Sequence, residues 1–253
     1  MLHGFPTSSW DFAEAATRLG RRAVLFDFLG FGLSDKPHDF GYSLFEQADL
    51  ATLGAREYGL GRVHSWAHDM GTSVATMLLA RRERDLLPFE LASVMLMNGS
   101  VHLEHAQPTI GQRILMSPAG PLFAQASGRP LFHAQMRLIF AKPPPDVTLG
   151  HMWDLLERCN GVRRLPSIIR YIEERVRFQR RWVGALEGLD LPMLAAWAAK
   201  DPVPKSAIAE RIAKNALNAD LVSWDDLGHY PHQVEVSPRV AAASASFVAR
   251  FDG

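Results

Sequence analysis

The stretch Val63-His64-Ser65-Trp66-Ala67-His68-Asp69-Met70-Gly71-Thr72-Ser73-Val74-Ala75 leaves this chain the fewest options for folding. An apolar β-type run passes through small-x-Asp-x-small into a helical pattern in which Val74, Leu78 and Leu79 share a face. A strand that reverses into a helix over so few residues brings two backbones close, so only small side chains fit at Ala67 and Gly71. Asp69 stands at the apex, at the helix N-terminus, where unpaired N–H groups and the positive dipole end favour a carboxylate. Such a carboxylate is a competent nucleophile. An ordinary helix N-cap also uses Asp, and this window alone leaves both readings open.

The rest of the chain supplies the frame. A turn at His3-Gly4 precedes a helix from Trp10 to about Leu19, and the apolar run Ala23-Val24-Leu25-Phe26-Asp27-Phe28 reads as a buried parallel strand. Ser43 with Glu46 three residues later forms a capping box for a helix to about Tyr58. The strands at 63–67 and 91–97 follow, and the βαβαβ order is that of a doubly wound parallel sheet. Residues 101–186 lack strands and are punctuated by prolines, which marks an all-helical insertion between core segments 1–100 and 187–253. The Arg cluster in its last helix, Arg175, Arg177, Arg180 and Arg181, reads as a solvated face with Glu173 and Glu174 as partners. Strands at 192–197 and 221–224 resume the sheet, and a helix near 238–251 closes it.

Asp201 follows the first of those strands and His229 the second, where open α/β sheets place their chemistry. Each alone is also a good turn or loop residue. Together, Asp69, Asp201 and His229 give nucleophile, acid and histidine in the chain order of an α/β-hydrolase triad.

Composition narrows the function. With 47% hydrophobic residues over 253 positions the chain can bury a large core, and its 27 basic residues balance 27 acidic ones. That balance argues against nucleic acid as a partner and suits a small apolar organic substrate. The single Cys159 excludes an intrachain disulfide, and no Cys/His spacing suggests a metal; no cofactor is expected. No run reaches the ~18 apolar residues of a membrane span and no leader pattern opens the chain, so a cytoplasmic protein is expected.

The residues 3–6, 27–37, the Asp69 turn, Asp201-Pro202-Val203 and Gly228-His229-Tyr230-Pro231 resemble the α/β-hydrolase superfamily, in its epoxide hydrolase and haloalkane dehalogenase branch. Residues 3–9, 42–47 and 180–186 resemble its mesoderm-specific-transcript type. The resemblance spans nearly the whole chain and implies an α/β-hydrolase fold: a mostly parallel sheet flanked by helices, with 101–186 as a helical cap. It also implies backbone N–H donors at Phe5 and Met70 for an oxyanion, and an Asp-His-Asp triad acting through a covalent alkyl ester. Trp153, Tyr171 and Phe178 are candidates to line the substrate pocket.

Three departures qualify that expectation. The family's sheet carries a strand between those at 23–28 and 63–67, and here only Met1 and Leu2 precede the His3-Gly4 turn. The expected consequences are an unpaired slot, loss of the anchor for Phe5, and poor solubility, inactivity or a homodimer by strand exchange. Neither Phe5 nor Met70 has a side chain that could hold a halide. Of four tyrosines, only Tyr171 lies in the insertion, where epoxide hydrolases use two. Esterase, lyase, haloalkane dehalogenase and non-catalytic ligand-binding readings remain alternatives.

Overall fold

Strands β1 (Arg62–His68), β2 (Glu90–Met97), β3 (Met193–Ala198) and β4 (Ala219–Trp224) form one parallel sheet in the order β1-β2-β3-β4. The computed structural model describes residues 1–233 and 237–251. Alternate side chains of the strands enter two separate cores. Val94, Leu96, Ala195 and Trp197 face one, while Met95, Met97, Leu194 and Ala196 face the other. Both faces are therefore covered, which is why β2 and β3 read as continuous apolar runs.

The helix Leu44–Glu57 starts at the capping box of Ser43 and Glu46. The helix Met70–Arg82 is buried from Met70 through Ala80. A helix Ser237–Ala249 packs on the opposite face with Phe12, Trp66 and Trp224. Between β2 and β3 all regular structure is helical. The last part of that stretch breaks at residues 169–170 into Leu165–Ile168 and the long helix Tyr171–Gly188. The long helix lies against the helix Met70–Arg82. Among the described residues no helix is long and apolar enough to cross a membrane.

One strand expectation is corrected. Residues 23–28 have no regular secondary structure and join no ladder, because a strand needs a partner and only residues 1–3 bond to both this segment and β1. Leu2 bridges to Ala67, donating to the Trp66 carbonyl at 2.7 Å and accepting from His68 N–H at 2.9 Å. Met1 donates to the Val24 carbonyl at 2.9 Å, and a cavity of about 380 Å³ opens beside it between Val24 and Arg62 to His64. The His3-Gly4 turn nevertheless keeps its anchor. His3 Nε2 accepts the Phe28 N–H at 2.9 Å, and its Nδ1 bonds the Gly4 carbonyl at 2.9 Å, so one neutral imidazole ties the turn to residue 28.

Candidate active site

Asp69 sits between β1 and the helix Met70–Arg82 at φ 44°, ψ −110°. That conformation costs a non-glycine residue roughly 1–3 kcal/mol and persists only where the surroundings impose it. They do so by contact: a Cβ on Gly71 would lie 2.2 Å from the Leu2 carbonyl oxygen, and one on Gly4 would lie 2.9 Å from Asp69 Cβ. The Asp69 side chain makes no capping bond to its own helix. It reaches across instead, and its Oδ2 accepts the Phe5 N–H at 3.0 Å. Met70, buried, begins the helix immediately behind.

Asp201 and His229 come together at the ends of β3 and β4, with Asp201 Oδ2 2.6 Å from His229 Nδ1. Asp201 is a pure acceptor when ionised, so Nδ1 carries the proton and Nε2 keeps its lone pair. Burial alone would lower the His229 pKa, but the adjacent Asp201 carboxylate and its hydrogen bond, with help from Asp69, raise it above the ordinary value. Asn98, at the end of β2, donates to Asp201 Oδ2 at 2.7 Å and to the Ala198 carbonyl at 3.2 Å, while the Val203 N–H serves Oδ1 at 2.8 Å. The His229 backbone is held on two sides. Its carbonyl accepts from His68 Nε2 at 2.7 Å and its N–H donates to the Ile139 carbonyl at 2.9 Å.

Sequence reasoning missed Asn98, whose role as a tie between two strand ends has no local signature. It also misplaced Arg175. That guanidinium is buried: Nε donates to Ser73 Oγ at 2.6 Å, Nη2 donates to the Asp69 carbonyl at 3.1 Å, and Nη2 lies 3.8 Å from Asp69 Oδ1. The face it occupies packs on the helix Met70–Arg82, so the solvated reading fails for Arg175. One turn earlier, Tyr171 is buried beneath it, with Arg175 Cζ 4.6 Å from the ring centroid, and the tyrosine hydroxyl has no hydrogen-bond partner among the described residues. Burial first, and the Asp69 charge second, push the Tyr171 pKa upward, so the hydroxyl keeps its proton.

A cavity of about 390 Å³ lies among the inserted helices and ends on Phe5 and His229. That is the size of a small-ligand site. Its walls are largely apolar and include Phe132, Met136, Leu156 and Trp153. The expectation for Tyr171 is corrected: it is not among the wall residues but is buried behind Phe5, with the two rings 5.9 Å apart. Phe178 is corrected as well: it is not among the wall residues and packs against Phe45 at 4.8 Å and Trp182 at 5.8 Å. Its place on the long helix puts it a turn beyond Arg175, on the side facing the helix Leu44–Glu57. Among the described residues no group of three or more His, Cys, Asp and Glu side chains could hold a metal ion.

Comparisons with known proteins agree with this architecture. The alpha/beta hydrolase fold family model matches residues 1–235. The Mycobacterium tuberculosis protein LipZ is 40% identical over 251 residues, covering 98% of this chain and 87% of its own length. The mesoderm-specific transcript homolog protein of Homo sapiens is 33% identical over 243 residues, covering 91% and 72%. Among solved structures, the haloalkane dehalogenase DatA of Agrobacterium tumefaciens superposes with a TM-score of 0.82 at 20% identity over 99% of this chain and 88% of its own. An esterase from Exiguobacterium antarcticum gives 0.78 at 18%, over 98% and 90%. These two structures speak for the fold alone.

Proposed function

The chain belongs to the α/β-hydrolase fold family, and from that premise we propose that it is a hydrolase with Asp69 as nucleophile, opening an epoxide of a small apolar molecule. The observation that carries this reading is the apex of the elbow. A carboxylate stands there in a conformation imposed by its neighbours, with one oxygen on the Phe5 N–H and the His229–Asp201 pair beside it. Attack by a carboxylate on an ester would yield an anhydride, whereas attack on a saturated carbon yields a stable alkyl ester.

In the first step an Asp69 carboxylate oxygen bonds to an epoxide carbon, and the carbon–oxygen bond of the ring breaks. The departing oxygen takes a hydrogen bond, and then a proton, from a donor. The unpartnered Tyr171 hydroxyl suits that role, and the Arg175 guanidinium over its ring favours the developing phenolate. Phe5 and Met70 offer no side-chain donor for a halide, which favours the epoxide over the haloalkane. In the second step His229 Nε2 takes a proton from water, and the hydroxide adds to the Asp69 ester carbon. The oxyanion rests on the backbone N–H groups of Phe5 and Met70, worth roughly 3 kcal/mol per donor. Collapse breaks the ester bond, the leaving alkoxide takes the proton of the added hydroxyl to complete the diol, the Asp69 carboxylate is restored, and the proton held on His229 returns through water to the Tyr171 phenolate. The inserted helices act as the cap that keeps bulk water from the ester.

The test is a panel of epoxides, haloalkanes and short esters, with the intact mass of His229→Ala read after mixing. A mass gain equal to one epoxide, abolished by the additional change Asp69→Asn, is expected. Turnover of esters without any adduct would overturn the reading.

A further inference from the structure

His68, the residue before the elbow aspartate, touches two other parts of the site at once. It stands two positions after Trp66 on β1 and so shares that face of the sheet. Its Nε2 lies 2.7 Å from the His229 carbonyl oxygen, a partner 161 residues away in the chain. A carbonyl only accepts, so Nε2 carries the proton and Nδ1 keeps a lone pair. Burial, and after it the neighbouring His232 and His229, hold the His68 pKa well below the ordinary value, so the ring stays neutral wherever His229 can take a proton. The Nδ1 atom has no hydrogen-bond partner among the described residues and lies against the His3-Gly4 turn, where a Cβ on Gly4 would come within 2.8 Å of it. Gly4 leads into Phe5, whose N–H holds the Asp69 carboxylate. One imidazole ring thus spans from that turn to the His229 loop, and its own backbone runs directly into Asp69.

The other ties on His229 do not do the same work. Its Nδ1 bonds Asp201 at the end of β3, and its N–H bonds the Ile139 carbonyl among the inserted helices. Neither partner belongs to the elbow. The His68 bond does, because residues 68 and 69 are joined by one planar peptide, so a fixed His68 ring fixes the His229 backbone relative to Asp69. Ring contacts of His68 with His232, Tyr230 and His229, at 4.4, 5.0 and 4.9 Å between centroids, constrain direction far less than a hydrogen bond of 2.7 Å. A general base must stay within hydrogen-bond reach of its water, and a misplacement of about 1 Å can cost on the order of 10²-fold in rate.

We propose that His68 is a positioning residue: through its Nε2–H it sets the distance between the Asp69 carboxyl group and the His229 ring, and with it the rate at which the covalent ester is hydrolysed. The positioning of His229 rests on this hydrogen bond alone. Its consequence for the second step rests on the hydrolase reading above.

Three substitutions in the full chain separate the hydrogen bond from packing. His68→Gln carries an amide nitrogen as many bonds from Cα as the imidazole Nε2, His68→Asn reaches only as far as the idle Nδ1, and His68→Phe fills the space without a donor. In single-turnover reactions with an epoxide, His68→Phe and His68→Asn should slow adduct hydrolysis by about ten-fold or more while adduct formation stays within about two-fold, and His68→Gln should restore most of the rate. The proton on His229 Nδ1, held by Asp201, supplies a readout that needs no turnover. It resonates far downfield in the proton spectrum, and its exchange with water should quicken about ten-fold in His68→Phe and return toward the wild-type rate in His68→Gln. If no substrate forms an adduct, the hydrolase reading fails by itself and the exchange rate still scores His68. His232→Phe is the packing control, since His232 is buried in the same cluster with both ring nitrogens unpartnered among the described residues, and it should leave hydrolysis and exchange as in the wild type. Exchange unchanged in His68→Phe overturns the proposal. So does equal slowing of both steps, a His68→Gln variant no better than His68→Asn, or a His232→Phe variant as slow as His68→Phe, each of which would reduce His68 to packing.

Discussion

At the residue scale, the site depends on contacts too close to relax. Gly71→Ala puts a methyl group 2.2 Å from a backbone carbonyl at Leu2, so the elbow must shift. A loss of roughly 1–3 kcal/mol is expected in urea unfolding, with a larger loss in kcat than in KM; an unchanged midpoint would show that the Leu2 bridge is loose. Arg175 is the other sensitive point. Arg175→Met strands Ser73 Oγ and the Asp69 carbonyl and removes the positive charge beside the Asp69 carboxyl group. Stability should fall by roughly 3 kcal/mol, and the first-step rate by more than the second. Arg175→Lys should restore part of the stability and less of the rate, because its single nitrogen cannot reproduce the fork that reaches Ser73 from Nε and the Asp69 carbonyl from Nη2. Equal slowing of the two steps would mean that Arg175 acts only as a structural tie.

At the element scale, three strand ends and one turn converge, and the His229–Asp201 pair sets how the site responds to pH. In the proposed mechanism His229 must be neutral to take a proton, and Asp201 raises its pKa above 6.5 against the lowering effect of burial. The rate of adduct hydrolysis should therefore climb as pH rises through a value above 6.5 and then level off. Asp201→Asn should move that limb to lower pH and cost roughly 10⁴-fold in the same step, as the loss of an orienting carboxylate does in other triads. Single-turnover pH profiles check it, and a limb that stays in place would assign the titration to another group.

At the scale of the whole molecule, buried titratable groups fix the pH range of stability. His3 and His232 have pKa values lowered to about 4 and about 3, and His68 lies well below the ordinary value, in each case chiefly through burial. Their folded pKa values are below the unfolded 6.5, so their contribution is present above pH 6.5 and lost as pH falls toward 4. Each contributes at most about 1.4 kcal/mol per pH unit. Asp11 has the opposite sign. Burial raises it to about 8 despite bonds from Thr7 and Gln233, so its contribution is lost as pH rises from 3.8 to 8. His102, lowered to about 4 by the same cause, makes four groups against one on the acid side, and Asp11 with His229 decides the alkaline side. The melting temperature should peak near pH 6.5, and Asp11→Asn should flatten the decline between pH 6.5 and 8. A decline of the same slope in that variant would clear Asp11 of the role.

How much of this was legible beforehand differs by kind of interaction. The sequence by itself determined what depends on local pattern: the apolar runs of β1 to β4, the capping box at Ser43, the tight turn at Asp69, and the order in which Asp69, Asp201 and His229 arrive at strand ends. These follow from periodicity and from the few residue types a turn admits. Tertiary structure decided whatever depends on a partner distant in the chain. Residues 23–28 have strand composition but form no strand, since pairing belongs to two segments at once. Arg175 and Arg177 look alike in sequence, yet the packing of one helix on another buries the first and not the second. Asn98 reaches Asp201 across 103 residues, and Phe178 turns to Phe45 rather than to the cavity. Such contacts are set by how whole elements dock, where the free energy comes from burying their shared faces, and no local stretch of chain encodes that.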